Sequence, residues 1–216
     1  NKKESNGLVC YTDGSAKPNS CKIEKSTDSI GFSIVLPQLD LILGLNGKII
    51  KRPWSNIRAE GLAVFYTLLF YNLNLQDLQN LQNLQKSQNL QNLQKLENIY
   101  FIRLGNENYI TKYEEKIKLL KSLKIYNKLI IYTDSEFWIN MVEKYMPGWS
   151  NCDFKNKKNS DITKPLYDLY KKLKEKNKIV LKFIPSHNKK GDCKNLKYHQ
   201  QYNNIADRMA NKIRLL

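Results

Sequence analysis

The chain has no Cys-x-x-Cys pair. Its four cysteines, Cys10, Cys21, Cys152 and Cys193, are scattered, which argues against a zinc centre. A disulfide framework is not expected in a chain of 216 residues. Reduced thiols are expected instead, in an intracellular protein, cytoplasmic or nuclear and not secreted. The opening residues, Asn1-Lys2-Lys3-Glu4-Ser5-Asn6, lack the apolar core of a signal peptide. No run is long and apolar enough to span a bilayer, so no membrane partner is expected. Residue 1 is Asn and not Met, which leaves open a targeting segment before it. Acidic residues are few: 20 Asp and Glu against 36 Lys and Arg, a formal charge of +16 and a pI near 9.6. That excess points to a polyanion, most economically nucleic acid. A Lys/Asn-rich composition inherited from an AT-rich genome would give the same charge.

What is present is a hydrophobic content of 41%, enough for a core. The length suits one domain over residues 1–216 with an insertion at 73–127. Leu8-Val9-Cys10-Tyr11-Thr12-Asp13-Gly14-Ser15 reads as a buried strand ending in a carboxylate. Leu129-Ile130-Ile131-Tyr132-Thr133-Asp134-Ser135 repeats the pattern. Strands are predicted over Ile30–Leu36 and from Leu39 to Lys51, completing an antiparallel meander with the first. Ser55 or Asn56 is a plausible cap for a helix over Ile57–Tyr71, with Glu60 in its first turn. Residues 73 to 96 carry Leu-Gln-Asn units at a spacing of three. That period does not match the helical period of about 3.6, so the tract reads as an expanded, non-catalytic insertion.

Ile99–Leu104 reads as a short strand or extended segment, and Tyr113–Leu123 as a helix. After the strand Lys128–Thr133, Ser135 could cap a helix burying Phe137, Trp138, Met141 and Val142, which Pro147-Gly148 stops. Trp149 to Asn159 is basic and irregular. A helix from Ser160 or Asp161, a strand Lys178–Ile184, a polar loop Asn188–Tyr202 and a helix Asn204–Ile213 follow. The order implies a mixed α/β sheet with helices packed on it.

Four carboxylates stand out: Asp13 and Asp134 at strand ends, and Glu60 and Asp207 in opening turns of helices. Each alone has an ordinary explanation, a turn or a helix dipole. Together they are more specific. Clustered carboxylates repel and are costly to bury unless cations pair with them. Hard oxygen ligands suit Mg²⁺ or Mn²⁺. An acidic centre in a basic chain makes sense where divalent metals mediate between carboxylates and phosphates.

Thr12-Asp13-Gly14-Ser15, Arg58-Ala59-Glu60, Tyr132-Thr133-Asp134-Ser135, Ser186-His187 and Asn204-Ile205-Ala206-Asp207 occur in this order. In order and context the set resembles type 1 ribonuclease H, over almost the whole chain except the insertion. The resemblance implies a ribonuclease H-like five-stranded mixed sheet flanked by helices. It implies two Mg²⁺ ions per site, with Mn²⁺ as a substitute. Asp13 would bridge both metals. Asp207 would join it at the metal that activates water, and Glu60 and Asp134 at the leaving-group metal. His187 would move water, product or a proton; His199 is the alternative histidine. The family cuts the RNA strand of an RNA/DNA hybrid, leaving a 5′-phosphate and a 3′-hydroxyl. A monomer is expected.

The same resemblance assigns substrate contacts. Gly14 and Ser15 form the turn that lets the hybrid backbone approach Asp13. Asn19 and Asn56 match readers of hybrid sugars and bases, where telling RNA from DNA requires a contact to the 2′-hydroxyl. Ser55 and Asn159 match a pocket for a phosphate of the DNA strand. Trp149 with Lys155, Lys157 and Lys158 resembles a basic protrusion that tracks the backbone. Capping and turn roles remain open for Ser55 and Asn56, and simple packing for Trp149. Glu136 stands where the family often has Gln, and Ala16 replaces a frequent contact residue. Two other functions fit the composition: a DNA nuclease or recombinase of the same superfamily, and a non-catalytic nucleic-acid-binding module. An intact carboxylate set argues against the binder, which would gain by losing negative charge near phosphates.

Overall fold

The computed structural model describes residues 7–17, 29–48, 55–72, 96–111, 126–176, 178–185 and 194–216. Within them seven strands form one mixed sheet in the order β5-β4-β3-β2-β1-β6-β7. They are β1 Gly7–Lys17, β2 Ser29–Leu36, β3 Leu41–Lys48, β4 Leu96–Arg103, β5 Asn106–Thr111, β6 Lys128–Thr133 and β7 Lys178–Phe183. From β1 to β5 neighbouring strands are antiparallel. On the other side β1, β6 and β7 run parallel, as crossovers through helices require.

The five strands of the expected sheet are all present, β4 takes the strand option read for Ile99–Leu104, and β5 is additional. β4 and β5 come from within the stretch read as an insertion. They are joined by Leu104-Gly105, with Arg103 opposite Asn106. Gly105 has φ +83°, a conformation glycine adopts without steric cost, which suits so short a hairpin loop. The second strand was not legible because Asn106-Glu107-Asn108-Tyr109-Ile110-Thr111 carries little apolar alternation. Most of the Leu-Gln-Asn tract and the helix expected over 113–123 lie outside the described residues.

The helices among the described residues are α1 Asn56–Asn72, α2 Glu136–Asn140, α3 Met146–Ser150, α4 Ser160–Lys176 and α5 Lys194–Arg214, with a π-helical turn Met141–Tyr145 joining α2 to α3. α1 is buried on nearly every side, from Arg58 and Ala59 through Gly61–Leu68. It packs on β1 with Leu62, Ala63 and Leu68, among a core that includes Leu8, Phe32, Leu129, Ile131 and Trp138. The opposite face of the sheet is covered by α5. There Ala206, Met209 and Ile213 meet Tyr11, Val35, Ile42, Ile130 and Tyr132.

Three local expectations are corrected. Pro147-Gly148 does not end the helix: Pro147 lies at the start of α3, where its missing N–H costs nothing. Phe137 is not on the buried side of its helix but 45% exposed, while Trp138, Met141 and Val142 are buried. Residues 194–203 are helix and not loop. Their sequence is polar, but Tyr202 stacks on Tyr11 and His199 on Tyr132, and that packing carries α5 almost three turns further towards the N-terminus.

Candidate active site

β1 and β6 place the first two carboxylates. The parallel register sets Leu8 beside Leu129 and Tyr11 beside Tyr132. Both segments continue Thr-Asp, but β1 does not end there: Asp13 stays in the strand opposite Ser33 of β2, and Gly14 and Ser15 extend it to Lys17 instead of forming the expected turn, while Asp134 directly follows β6. Adjacent strands lie about 4.8 Å apart, and the Asp134 charge is felt at Asp13. Asp13 is buried, and its Oδ1 accepts the Gly14 N–H at 2.7 Å.

Gly14 brings in the third. A Cβ there would lie 2.2 Å from the Ala59 backbone carbon and oxygen and 2.6 Å from the Glu60 nitrogen. Only glycine lets α1 approach β1 that closely, and the approach carries Glu60 to the rim. α1 begins at Asn56, so Glu60 is the fifth helical residue and its first turn holds no acid. The helix-dipole explanation for Glu60 is therefore lost. The same holds for Asp207, expected in an opening turn: α5 starts at Lys194, so Asp207 stands well inside it.

The electrostatics tie the four together. Asp13 has its pKa pushed up to about 8. Burial is the largest cause; then Asp134 raises it, the Gly14 N–H opposes, and Asp207 and Glu60 raise it further. Glu60 is also raised, by burial first, with Ser135 opposing and Asp134 adding. Ser135 favours the Glu60 carboxylate by proximity, although its buried Oγ has no hydrogen bond of good geometry. Asn203, 2% exposed, donates from Nδ2 to Asp134 Oδ2 at 3.4 Å. Asn211 donates from Nδ2 to Asp207 Oδ1 at 3.0 Å.

An all-oxygen donor set of this kind suits a hard divalent cation. Among the described residues, however, no three His, Cys, Asp or Glu side chains are gathered closely enough to hold a metal as they stand. The carboxylates share a neighbourhood without forming a closed cage. Like charges at one rim repel, and a cation between them is what would draw them in.

The expected substrate contacts are distributed as follows. Ser55 caps α1: its carbonyl accepts the N–H groups of Arg58 and Ala59, and its Oγ accepts that of Arg58 at 3.4 Å. Asn56 is exposed at the first helical position, and its Oδ1 accepts the Ala16 N–H at 3.1 Å. Asn159, in a left-handed conformation (φ +60°), precedes α4. Its Oδ1 accepts from Arg58 Nη1 at 2.6 Å, and Arg58 Nη2 pairs with Asp161 at 2.5 Å. The structure thus brings Ser55 and Asn159 together through Arg58. That residue sits inside the Arg-Ala-Glu motif but was assigned no role of its own.

Trp149 is half-buried, edge-on to Phe154, with Lys157 Nζ 5.4 Å from its ring centre. Glu136 is exposed. Ser15 is half-buried and its hydroxyl bonds inward, to Asn211. Asn19 and His187 lie outside the described residues. His199 stacks on Tyr132, with Nδ1 2.7 Å from Tyr11 Oη.

Arg58, Asn203 and Asn211 are the residues that motif reading missed. The signal for the asparagines was available, since each lies four positions from Asp207 on one helix.

A mixed sheet with this rim of carboxylates has the ribonuclease H-like α/β architecture. The prototype foamy virus protease-reverse transcriptase (native) superimposes over 100% of this chain and 22% of its own, with a TM-score of 0.53 and 15% identity. A selenomethionine-labelled CSH mutant of it gives a TM-score of 0.56, also at 15% identity. At that identity the likeness shows the fold alone.

The family model described as RNase H matches residues 111–214. Ribonuclease H of Campylobacter jejuni (strain 81-176) is 33% identical over 72 residues, 33% of this chain and 47% of that protein. Ribonuclease H of Campylobacter concisus is 28% identical over 87 residues, 38% and 58% of the two chains. The chain spans about half the length of these curated relatives. Over residues 111–214 it is similar to the ribonuclease H family. The matched segment contains Asp134 and Asp207; Asp13 and Glu60 join them through the strand register and the Gly14 contact.

Proposed function

We propose that this chain is a metal-dependent endoribonuclease of the type 1 ribonuclease H kind that cuts the RNA strand of RNA/DNA hybrids. The observation that carries this reading is that Asp13 and Asp134 each stand two residues beyond the in-register Tyr11 and Tyr132, with Glu60 and Asp207 close enough to raise the Asp13 pKa. The four carboxylates would hold two Mg²⁺ ions, or Mn²⁺ in their place, with Asp13 common to both. Bound divalent ions would supply activation of the attacking water and charge stabilisation of the scissile phosphate.

The protein's own part is positional. β1 and β6 present Asp13 and Asp134 from a rigid sheet. Gly14 seats α1 so that Glu60 meets them, and α5 brings Asp207 across the opposite face. In the reaction the water oxygen joins phosphorus and the P–O3′ bond breaks. The products carry a 5′-phosphate and a 3′-hydroxyl.

Substrate holding falls to the surroundings. The Ser55–Arg58–Asn159 group offers a built, partly buried donor set for a DNA-strand phosphate. Asn56 is exposed beside it and offers an amide to the minor groove. Trp149 and Lys157 offer a flat ring and a cation to the backbone, and the net charge of +16 would draw the duplex in. His187 would assist proton or product movement. Action on nucleic acid inside the cell, as a monomer, completes the reading.

The test is gel cleavage of end-labelled RNA/DNA hybrid, duplex DNA and duplex RNA, with Mg²⁺, with Mn²⁺ and with EDTA. Cutting of the hybrid's RNA strand only, lost in EDTA and in Asp13→Asn, is the expected result. Cutting of duplex DNA instead would move the chain to the DNA nucleases of the superfamily. Metal-independent binding without cleavage would make it a binding module.

A further inference from the structure

Asn211 lies one helical turn beyond Asp207 on α5, and its side-chain amide is committed at both ends. Nδ2 donates to Asp207 Oδ1 at 3.0 Å and to the Asp207 carbonyl at 3.1 Å. Oδ1 accepts the Ser15 hydroxyl at 2.7 Å. Ser15 Oγ in turn accepts from Arg214 Nε at 3.2 Å. The bonds form a chain in one direction: guanidinium to hydroxyl, hydroxyl to amide, amide to carboxylate. Each link donates towards Asp207, with a cation at one end and an anion at the other. Successive bonds of that polarity reinforce one another. Ser15 is two residues past Asp13 on β1, so the chain also ties the Asp207 side chain to the strand that carries Asp13.

We propose that Asn211 is a positioning residue, which holds the Asp207 carboxylate by Oδ1 in the orientation in which it would bind a divalent metal, with Ser15 and Arg214 fixing the amide. The inference rests on the reading of Asp207 as a metal ligand given above. Removing a hydrogen-bonded partner behind a metal ligand typically costs about 10- to 100-fold in metal affinity. A caging role for Asn211 in the fold alone would cost stability and leave intrinsic metal affinity intact. The Ser15 hydroxyl, expected to touch substrate, is taken up by this chain.

The experiment is calorimetric titration of Mn²⁺ into the whole chain, without nucleic acid, for wild type, Asn211→Ala and Asn211→Gln. Thermal unfolding in EDTA and hybrid-cleavage kinetics over a range of Mn²⁺ accompany it. The expected result is an affinity about 10-fold weaker in Asn211→Ala. The kcat should fall and recover at high Mn²⁺, with an unchanged KM for hybrid and a metal-free Tm near that of wild type. Asn211→Gln, which can still donate, should regain most of the affinity. The inference is overturned if Asn211→Ala binds Mn²⁺ as wild type does. It is also overturned if the loss comes with a large fall in metal-free Tm that Asn211→Gln does not repair. A wild-type chain that neither binds Mn²⁺ nor cuts hybrid would overturn the functional reading itself, a separate outcome visible before any variant is made.

Discussion

Asp13→Asn should make the metal-free protein more stable while removing its ability to cut. Asp13 sits buried among Asp134, Asp207 and Glu60, with the Gly14 N–H as its hydrogen-bond donor. Asn is the same shape, and its Oδ1 can still accept that N–H. The substitution therefore deletes a charge and keeps the packing. An acid whose folded pKa lies above its unfolded value binds its proton more tightly when folded. Stability is then complete below the unfolded value, 3.8, and falls as pH rises towards the folded value of about 8.

At pH 7 that difference corresponds to about 4 kcal/mol, at about 1.36 kcal/mol per pKa unit. Water entry and relaxation at the rim return part of it, and the expected gain for Asp13→Asn is about 2 kcal/mol. For a chain of this size about 2–4 °C accompany each kcal/mol, so Tm should rise by about 4–8 °C. The assay is thermal unfolding in EDTA, both proteins, at pH 4, 5, 6, 7 and 8. The two curves should meet near pH 4 and diverge above it. Glu60, raised by the same kinds of neighbour, should leave the variant a shallower residual slope. Parallel pH profiles, or a variant less stable than wild type at pH 8, would refute the claim that these carboxylates strain one another.

The converse holds for metal. Mg²⁺ at 100 times its dissociation constant should stabilise wild type by about 2.7 kcal/mol and Asp13→Asn by much less; equal Tm shifts would place the ion elsewhere. Gly14→Ala would drive a Cβ to 2.2 Å from the α1 backbone. Overpacking of this kind should cost about 3 kcal/mol in urea unfolding and displace Glu60, so activity should fall further than stability accounts for; wild-type behaviour would mean that α1 does not seat on Gly14. Arg58→Ala leaves Asp161 without its guanidinium and Asn159 without its donor. A loss of about 2–3 kcal/mol is expected, with a raised KM for hybrid; a change under about 0.5 kcal/mol, in the range of ordinary surface substitutions, would demote the pair to a surface contact.

The strands were legible because their signal is local. Ile30–Leu36 and Lys128–Thr133 are apolar runs bounded by turn residues, and both are strands within a residue or two of expectation. Where the signal is not local, reading failed in identifiable ways. The polar start of α5 becomes helical because His199 and Tyr202 have an aromatic surface to cover, built by Tyr11 and Tyr132 on other strands. β5 exists because β4 offers it a hydrogen-bonding edge, and no feature of Asn106–Thr111 alone announces that edge.

The site divides along the same line. Asp13 and Asp134 declared themselves as an echo, and the echo has a physical meaning once the register sets Tyr11 against Tyr132. The same Tyr-Thr-Asp run in register on parallel neighbours puts like side chains side by side. Glu60 and Asp207 looked like ordinary dipole matches. Only the true helix starts, at Asn56 and Lys194, remove that explanation. A carboxylate inside a helix, half-buried and beside others, gains nothing from the helix for its charge. It stands there because the rim has a use for charge that folding alone does not, and neighbours such as Asn211 orient it. That is why the asparagines matter as much as the acids: the acids set how much charge the rim carries, and the amides set where it points.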